Sequence, residues 1–91
     1  MEQQIQIKAD DEALKGHYAN LAMINHTKEE FAIDFVNMMP PQGILLSRFF
    51  MSPGHAKRLA KALEDNIKNY ESQFGTIKEA EEPKKGIGFT N

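Results

Sequence analysis

The residues best suited to bind a metal or transfer a proton are three histidines, His17, His26 and His55. They lie in separate segments, and no two have the four-residue spacing that places paired zinc ligands on one helix face. The chain contains no cysteine. The spacing therefore predicts no metal site, and the composition excludes disulfides and thiol nucleophiles.

Carboxylates and hydroxyls also lack the patterns that accompany catalysis. The acidic clusters at 10–12 and 29–30 have no calcium-loop spacing and are typical of solvated loops. No serine lies in a nucleophile motif, and the six glycines form no phosphate-binding loop. We therefore expect no catalytic residues and no cofactor, and we expect that the protein is not an enzyme.

One group of basic side chains stands at the start of a predicted helix, namely His55, Lys57, Arg58 and Lys61. A helix N-terminus offers free N–H groups and a positive dipole end, so these side chains could contact a phosphate. The other interpretation is a solvated helix face, favoured by Glu64 and Asp65 one turn later and by a Glu64–Lys68 pair. A nucleic-acid-associated accessory protein is thus the alternative function.

Length and charge restrict the remaining possibilities. A chain of 91 residues predicts one domain, and a net charge of −2 is too balanced to indicate a nucleic-acid or anionic-membrane partner. No apolar run approaches the roughly 20 residues that cross a bilayer, and the first residues lack the features of a secretory signal. We expect a cytoplasmic protein.

The clearest predicted element is a long helix over residues 53–74. Ser52 is a favourable N-cap, Pro53 suits the first helical position, and Gly75 suits a left-handed C-terminal cap. Apolar residues recur at helical spacing along this segment: Ala56, Leu59, Leu63, Ile67, Tyr70 and Phe74. This stripe predicts a helix with one apolar face.

Three segments before the helix alternate like strands: 18–24, 31–38 and 44–51. A weaker alternation of Ile5 and Ile7 suggests a further edge strand, and the turn at 39–43 contains two prolines. The predicted fold is α+β: an antiparallel β-meander of three to four strands, followed by one long C-terminal helix packed on one sheet face. It forms a single domain over 1–77, and 78–91 is a flexible charged tail.

Hairpin loops of about five residues would set the strand register. Asp34 would then face Arg48, Ala32 would face Phe50, Val36 would face Leu46, and Met38 would face Ile44. In the first hairpin, Met23 would face Ile33 and Leu21 would face Phe35. The pairing of the acidic residue of one strand with the basic residue of the next supports this register.

Both sheet faces would then be apolar. The helix would cover one face, made of Ala19, Leu21, Met23, Phe31, Ile33, Phe35, Leu45, Phe49 and Met51. The other face would be an interface, formed by Ile24, Asp34, Val36, Met38, Ile44, Leu46, Arg48 and Phe50. Because a solvated face should be polar, we expect a second copy to cover it in a two-fold dimer. Another protein could take that place, or the N-terminal segment and the region around Ile77 could fold over the face.

Four sequence runs resemble a known family. They are 18–20, 25–35, 51–59 and 66–75, and they include the patterns H-T-x-E-E-F-x-x-D-F and M-S-P-x-H-A-K-R-L. The chain resembles, over about residues 5–77, the prokaryotic "domain of unknown function 3467" family, which implies no reaction, ligand or catalytic residue. The element order is also similar to SecB-type export chaperone subunits, which assemble through their sheets. From the apolar face that the helix leaves uncovered, we expect a homo-oligomeric binding, scaffold or chaperone-like module.

Overall fold

The computed structural model describes residues 4–81 and 86–90. The described elements are α1 (Asp11–Lys15), β1 (Leu21–His26), β2 (Phe31–Met39), β3 (Gln42–Met51) and α2 (Pro53–Phe74). The chain divides into two compact units, Met1–Lys57 and Arg58–Asn91, and each is described by itself. The predicted division into a 1–77 domain and a 78–91 tail stays a prediction, and residues 82–85 and 91 of that tail lie outside the described residues.

The sheet confirms the predicted α+β class. Its strands are antiparallel, in the order β1-β2-β3, and α2 follows them in the chain. The additional strand predicted around Ile5 and Ile7 is wrong, because described residues 4–10 form no strand and both side chains are almost fully exposed. Two alternating isoleucines bury too little surface to fix a strand against a sheet edge.

The short helix α1 was absent from the sequence-based prediction, which assigned Asp10–Glu12 to a turn. The Asp10 side chain caps the helix by accepting a hydrogen bond of 2.8 Å from the Ala13 backbone N–H. Asp11 and Glu12 occupy the first turn, and Gly16 follows the last residue with a φ of 72°. Acidic residues at the start and a glycine after the last residue were the sequence signals for this helix.

The first hairpin differs from its predicted register by one residue. His26 pairs with Phe31, so the loop is 27–30, and the Thr27 N–H donates to the Glu30 carbonyl at 2.9 Å. The Thr27 hydroxyl also accepts from the backbone N–H groups of Glu29 and Glu30. This closed loop is shorter than the predicted one. Consequently the two predicted pairs are wrong, and the actual partners are Met23 with Asp34, Leu21 with Val36 and Ile24 with Ile33.

The second hairpin also turns more tightly than predicted, and a β-bulge then compensates. Met39 pairs with Gln42, so the turn is Pro40-Pro41, whose peptide bond is cis. Near the turn the predicted pairs are wrong, since Val36 pairs with Leu45 and Met38 with Gly43. A bulge between Phe35 and Val36 leaves Leu46 as an extra residue of β3. Beyond it the predicted pairs Asp34–Arg48 and Ala32–Phe50 are confirmed.

The long helix has the predicted bounds, Pro53–Phe74. The Ser52 hydroxyl accepts from the His55 backbone N–H at 3.1 Å, which confirms the N-cap. At the other end Gly75 has a φ of 95°, and its N–H donates to the Glu71 carbonyl. The predicted Glu64–Lys68 ion pair is also present, at 3.8 Å. The apolar stripe from Leu59 to Phe74 is exposed, and the packing of α2 on the sheet stays a prediction.

The centre of the sheet supplies the buried residues. In the described part of the chain, Ile33 and Val36 are the buried apolar residues and Asp34 is the buried charged one. All three lie on β2, which is the only strand of this sheet with a neighbour on each side.

Candidate interaction surface

Cross-strand partners in an antiparallel sheet project to the same side, so the observed register assigns each strand residue to a face. The Phe35 face consists of Ala22, Ile24, His26, Phe31, Ile33, Phe35, Asn37, Met39, Gln42, Ile44, Leu46, Ser47, Phe49 and Met51. The Asp34 face consists of Leu21, Met23, Asn25, Ala32, Asp34, Val36, Met38, Gly43, Leu45, Arg48 and Phe50.

The predicted interface residues therefore fall on two sides of the sheet. Five of them share the Asp34 face: Asp34, Val36, Met38, Arg48 and Phe50. The other three are placed on the Phe35 face: Ile24 by the shorter first loop, Ile44 by the tight proline turn, and Leu46 by the bulge. For the same reasons Leu21, Met23 and Leu45 leave the face that was predicted to receive the helix.

The Asp34 face is organised around an ion pair. Arg48 donates from Nε to Asp34 Oδ1 at 2.7 Å and from Nη2 to Oδ2 at 2.9 Å. The Asp34 side chain is 6% exposed and the Arg48 side chain 46% exposed, so the arginine shields the carboxylate from water. The hydrogen bonds from Arg48 lower the pKa of Asp34, and its positive charge acts in the same direction, although burial opposes both. This two-bond pair holds β2 and β3 in register.

A second polar contact extends the β1–β2 pairing to Asn20, the residue before the first residue of β1. The Asn20 side chain accepts from the Met38 N–H at 2.7 Å and donates to the Met38 carbonyl at 2.9 Å. The Asn20 backbone N–H also donates to the Val36 carbonyl. The side-chain amide of Asn20 thus takes the place of the backbone N–H and C=O groups that a further residue of β1 would offer to Met38. No sequence pattern indicates this contact, because it joins positions eighteen residues apart.

Met38 and Val36 also fill the space beside a glycine on the same face. A Cβ atom on Gly43 would lie 3.1 Å from the end of the Met38 side chain and 3.5 Å from a Val36 methyl group. The missing side chain at Gly43 therefore lets Met38 fold over β3. On the Asp34 face, Asp34 and Val36 are buried.

The Phe35 face is more open. Ile24 is 60% exposed, Ile44 is 63% exposed and Phe49 is 52% exposed. On the Asp34 face the corresponding residues are Leu45, 41% exposed, and Phe50, 63% exposed. None of the residues assigned to the Phe35 face is aspartate, glutamate, lysine or arginine. The larger exposed apolar area therefore lies on the Phe35 face.

An apolar groove of about 480 Å³ crosses this face. Residues 17–19, which precede β1, form one wall, and the remaining lining comes from Phe35, Leu46, Ser47 and Phe49. The rings of Phe35 and Phe49 meet edge to face, with centroids 6.1 Å apart. The N-terminal segment thus borders the Phe35 face, whereas Ile24 and Ile44 on the same face remain exposed.

The predicted anion-contact residues His55, Lys57, Arg58 and Lys61 all lie in the first turns of α2 with exposed side chains. Among the described residues, no group of three or more histidine or acidic side chains could hold a metal ion. In the same part of the chain, no helix combines the length and apolar character needed to cross a membrane.

One of three comparisons with known proteins gives a match. No curated protein and no solved structure matches the chain. Residues 1–79 match the family described as "Protein of unknown function (DUF3467)". That match covers most of the chain and includes every helix and strand described above. The chain belongs to the DUF3467 family.

Proposed function

We propose that this protein is a binding module that self-associates through the Phe35 face of its sheet and performs no catalysis. The observation that carries the proposal is the exposure of Ile24, Ile44 and Phe49 on a face whose strand residues include no aspartate, glutamate, lysine or arginine. Exposure of such an apolar surface to water is unfavourable in free energy, and covering the surface with protein removes this unfavourable contribution.

A second copy of the chain suits this face on electrostatic grounds. A two-fold contact places each surface residue near a residue of the same surface, so charges of one sign would repel each other. The strand residues of the Phe35 face include no aspartate, glutamate, lysine or arginine, so these types bring no such repulsion. Self-association is therefore not opposed by the composition of the face.

The area of the face sets the expected strength of association. Strands of 6, 9 and 10 residues, spaced about 4.8 Å apart with a rise of about 3.4 Å per residue, define a face of roughly 400 Å². Two copies would together cover about 800 Å², which is below the roughly 1,000 Å² of a specific stable interface. The expected association is consequently weak and sensitive to single substitutions.

The test substitutes neighbouring residues of β3 that project to opposite faces. Ile44→Asp removes an apolar side chain that is 63% exposed in the single chain. Burial of a whole isoleucine is worth about 1.5–3 kcal/mol, so the variant loses about 1–2 kcal/mol per copy. A two-fold dimer contains the substitution in both copies, so the total loss of binding free energy is twice as large. The Kd should therefore rise roughly 30- to 1,000-fold.

Leu45→Asp is the matched control, because Leu45 projects to the Asp34 face. Its Kd should change less than about threefold on the scale of surface substitutions. Sedimentation over a concentration series measures both constants, and urea unfolding monitors the fold of each variant. A native chain that stays monomeric up to millimolar concentration, or a Leu45→Asp variant that weakens association as much as Ile44→Asp, contradicts the proposal.

A further inference from the structure

The outer edge of β3 is a second feature suited to binding a partner. In the described part of the chain β3 pairs with β2 alone, so its other side belongs to no strand pair. The strand has 10 residues, which corresponds to about 34 Å of sheet edge. An edge of this length presents backbone N–H and C=O groups to any strand that can align with it.

Sheet edges are commonly protected by lysine, proline, free charges or bulges. β3 contains no lysine, proline, aspartate or glutamate. Its one charged residue is Arg48, whose guanidinium group is engaged by Asp34 of the neighbouring strand. The bulge at Leu46 interrupts the first half of the strand and leaves Ser47–Met51 regular. This second half is an unprotected edge.

We propose that Ser47–Met51 pairs antiparallel with the same segment of a second copy, which joins two sheets into one of six strands. The inference rests on the self-association proposed above and adds a second, backbone-mediated contact, which each chain makes with a different copy from the one that covers its Phe35 face. A second copy is the occupant because the segment carries no unpaired charge that would repel its own image. Antiparallel pairing of identical segments is also the geometry that a two-fold axis perpendicular to the sheet produces.

The symmetry restricts the register. A two-fold axis through the pair places one residue opposite itself and keeps the Phe35 faces of the two copies on the same side. Phe49 is the middle of the regular segment, so it faces Phe49 of the second copy. Ser47 then faces Met51, and Arg48 faces Phe50. A register centred on Arg48 would instead place two guanidinium groups opposite each other, which is destabilising.

The chain contains no cysteine, so introduced cysteines report the register directly. Side chains directly opposite in an antiparallel pair have Cβ atoms about 4.5–5.5 Å apart, which is near disulfide geometry. An equimolar mixture of Ser47→Cys and Met51→Cys chains should form a disulfide-linked heterodimer under mild oxidation. Each of these variants alone should form little disulfide, whereas Phe49→Cys alone should link to itself.

The mixture of Ser47→Cys and Met51→Cys chains keeps Phe49 intact and is therefore the decisive experiment. Sedimentation of the same samples gives the association state. Ile24→Cys, on β1 and distant from the proposed axis, is the control for random collision. If the chains associate but the mixture cross-links no more than the single variants, edge pairing is overturned and self-association remains. If Met51→Cys alone links as efficiently as the mixture, the register centred on Phe49 is wrong. A strictly monomeric chain overturns both proposals.

Discussion

Two isoleucines that face each other across β1 and β2 provide the sharpest test of the observed register. Ile33 on β2 is 7% exposed, and its partner Ile24 on β1 is 60% exposed. The residue type, the sheet face and the strand pair are the same, so burial is the main difference between them. Ile33→Val and Ile24→Val each remove one methylene group, and both variants should retain the fold.

The expected magnitudes follow from this difference in burial. A buried Ile→Val substitution costs about 0.5–1.5 kcal/mol, so Ile33→Val should lower the free energy of unfolding by about 1 kcal/mol. The same change at the partly buried Ile24 should cost about 0.4 kcal/mol, because only the fraction of the side chain that is shielded from water contributes to the stability. For a chain of this size, 1 kcal/mol corresponds to about 4–8 °C in Tm.

Urea unfolding followed by far-UV circular dichroism measures both variants against the native chain over a dilution series. The difference between the variants should be largest at the lowest concentration. It should narrow as concentration rises, because self-association through the Phe35 face would bury Ile24 and link stability to concentration. Equal costs at the lowest concentration, or a larger cost for Ile24→Val, would refute the register and the burial derived from it.

Two further predictions concern the polar contacts of β2. Because Arg48 lowers the pKa of Asp34, the folded state gains stability that is complete above the ordinary carboxyl pKa of 3.8 and is lost as pH falls through the lowered value. Urea unfolding from neutral to strongly acidic pH should show this loss in the native chain and a smaller loss in Asp34→Asn, and an equal loss in both would exclude Asp34 as its source. Asn20→Ala removes both hydrogen bonds to the Met38 backbone, which should cost about 1–2 kcal/mol. The Met38 amide should also exchange faster with deuterated water, whereas unchanged exchange would show that the contact does not form.

Local signals in the sequence predicted much of the fold. The N-cap at Ser52, the apolar stripe and Gly75 specify α2 because capping and helical periodicity depend on residues close in the chain. Opposite charges at Asp34 and Arg48 also predicted the central pairing of β2 with β3. The short helix α1 was predictable from its acidic first turn and the glycine that follows it, but the same acidic residues are also typical of a solvated loop.

The interface residues could not be assigned correctly in the same way. The sheet face to which a strand residue projects depends on whether the adjoining hairpin loop has an odd or an even number of residues. One residue fewer in the first loop moved Leu21, Met23 and Ile24 to opposite faces from those predicted. In the second hairpin the tight proline turn moved Ile44, and the bulge at Leu46 restored the register before Arg48.

The sequence by itself therefore determined that the strands are apolar on both sides, that a long amphipathic helix follows them, and that one ion pair joins two strands. These properties are carried by residue type and short-range spacing. The tertiary structure alone decided which apolar residues share a face, that Asn20 completes the pairing of Met38, and that the edge of β3 is regular only beyond Leu46. Such features depend on backbone geometry and on contacts between distant residues, which a linear pattern does not encode.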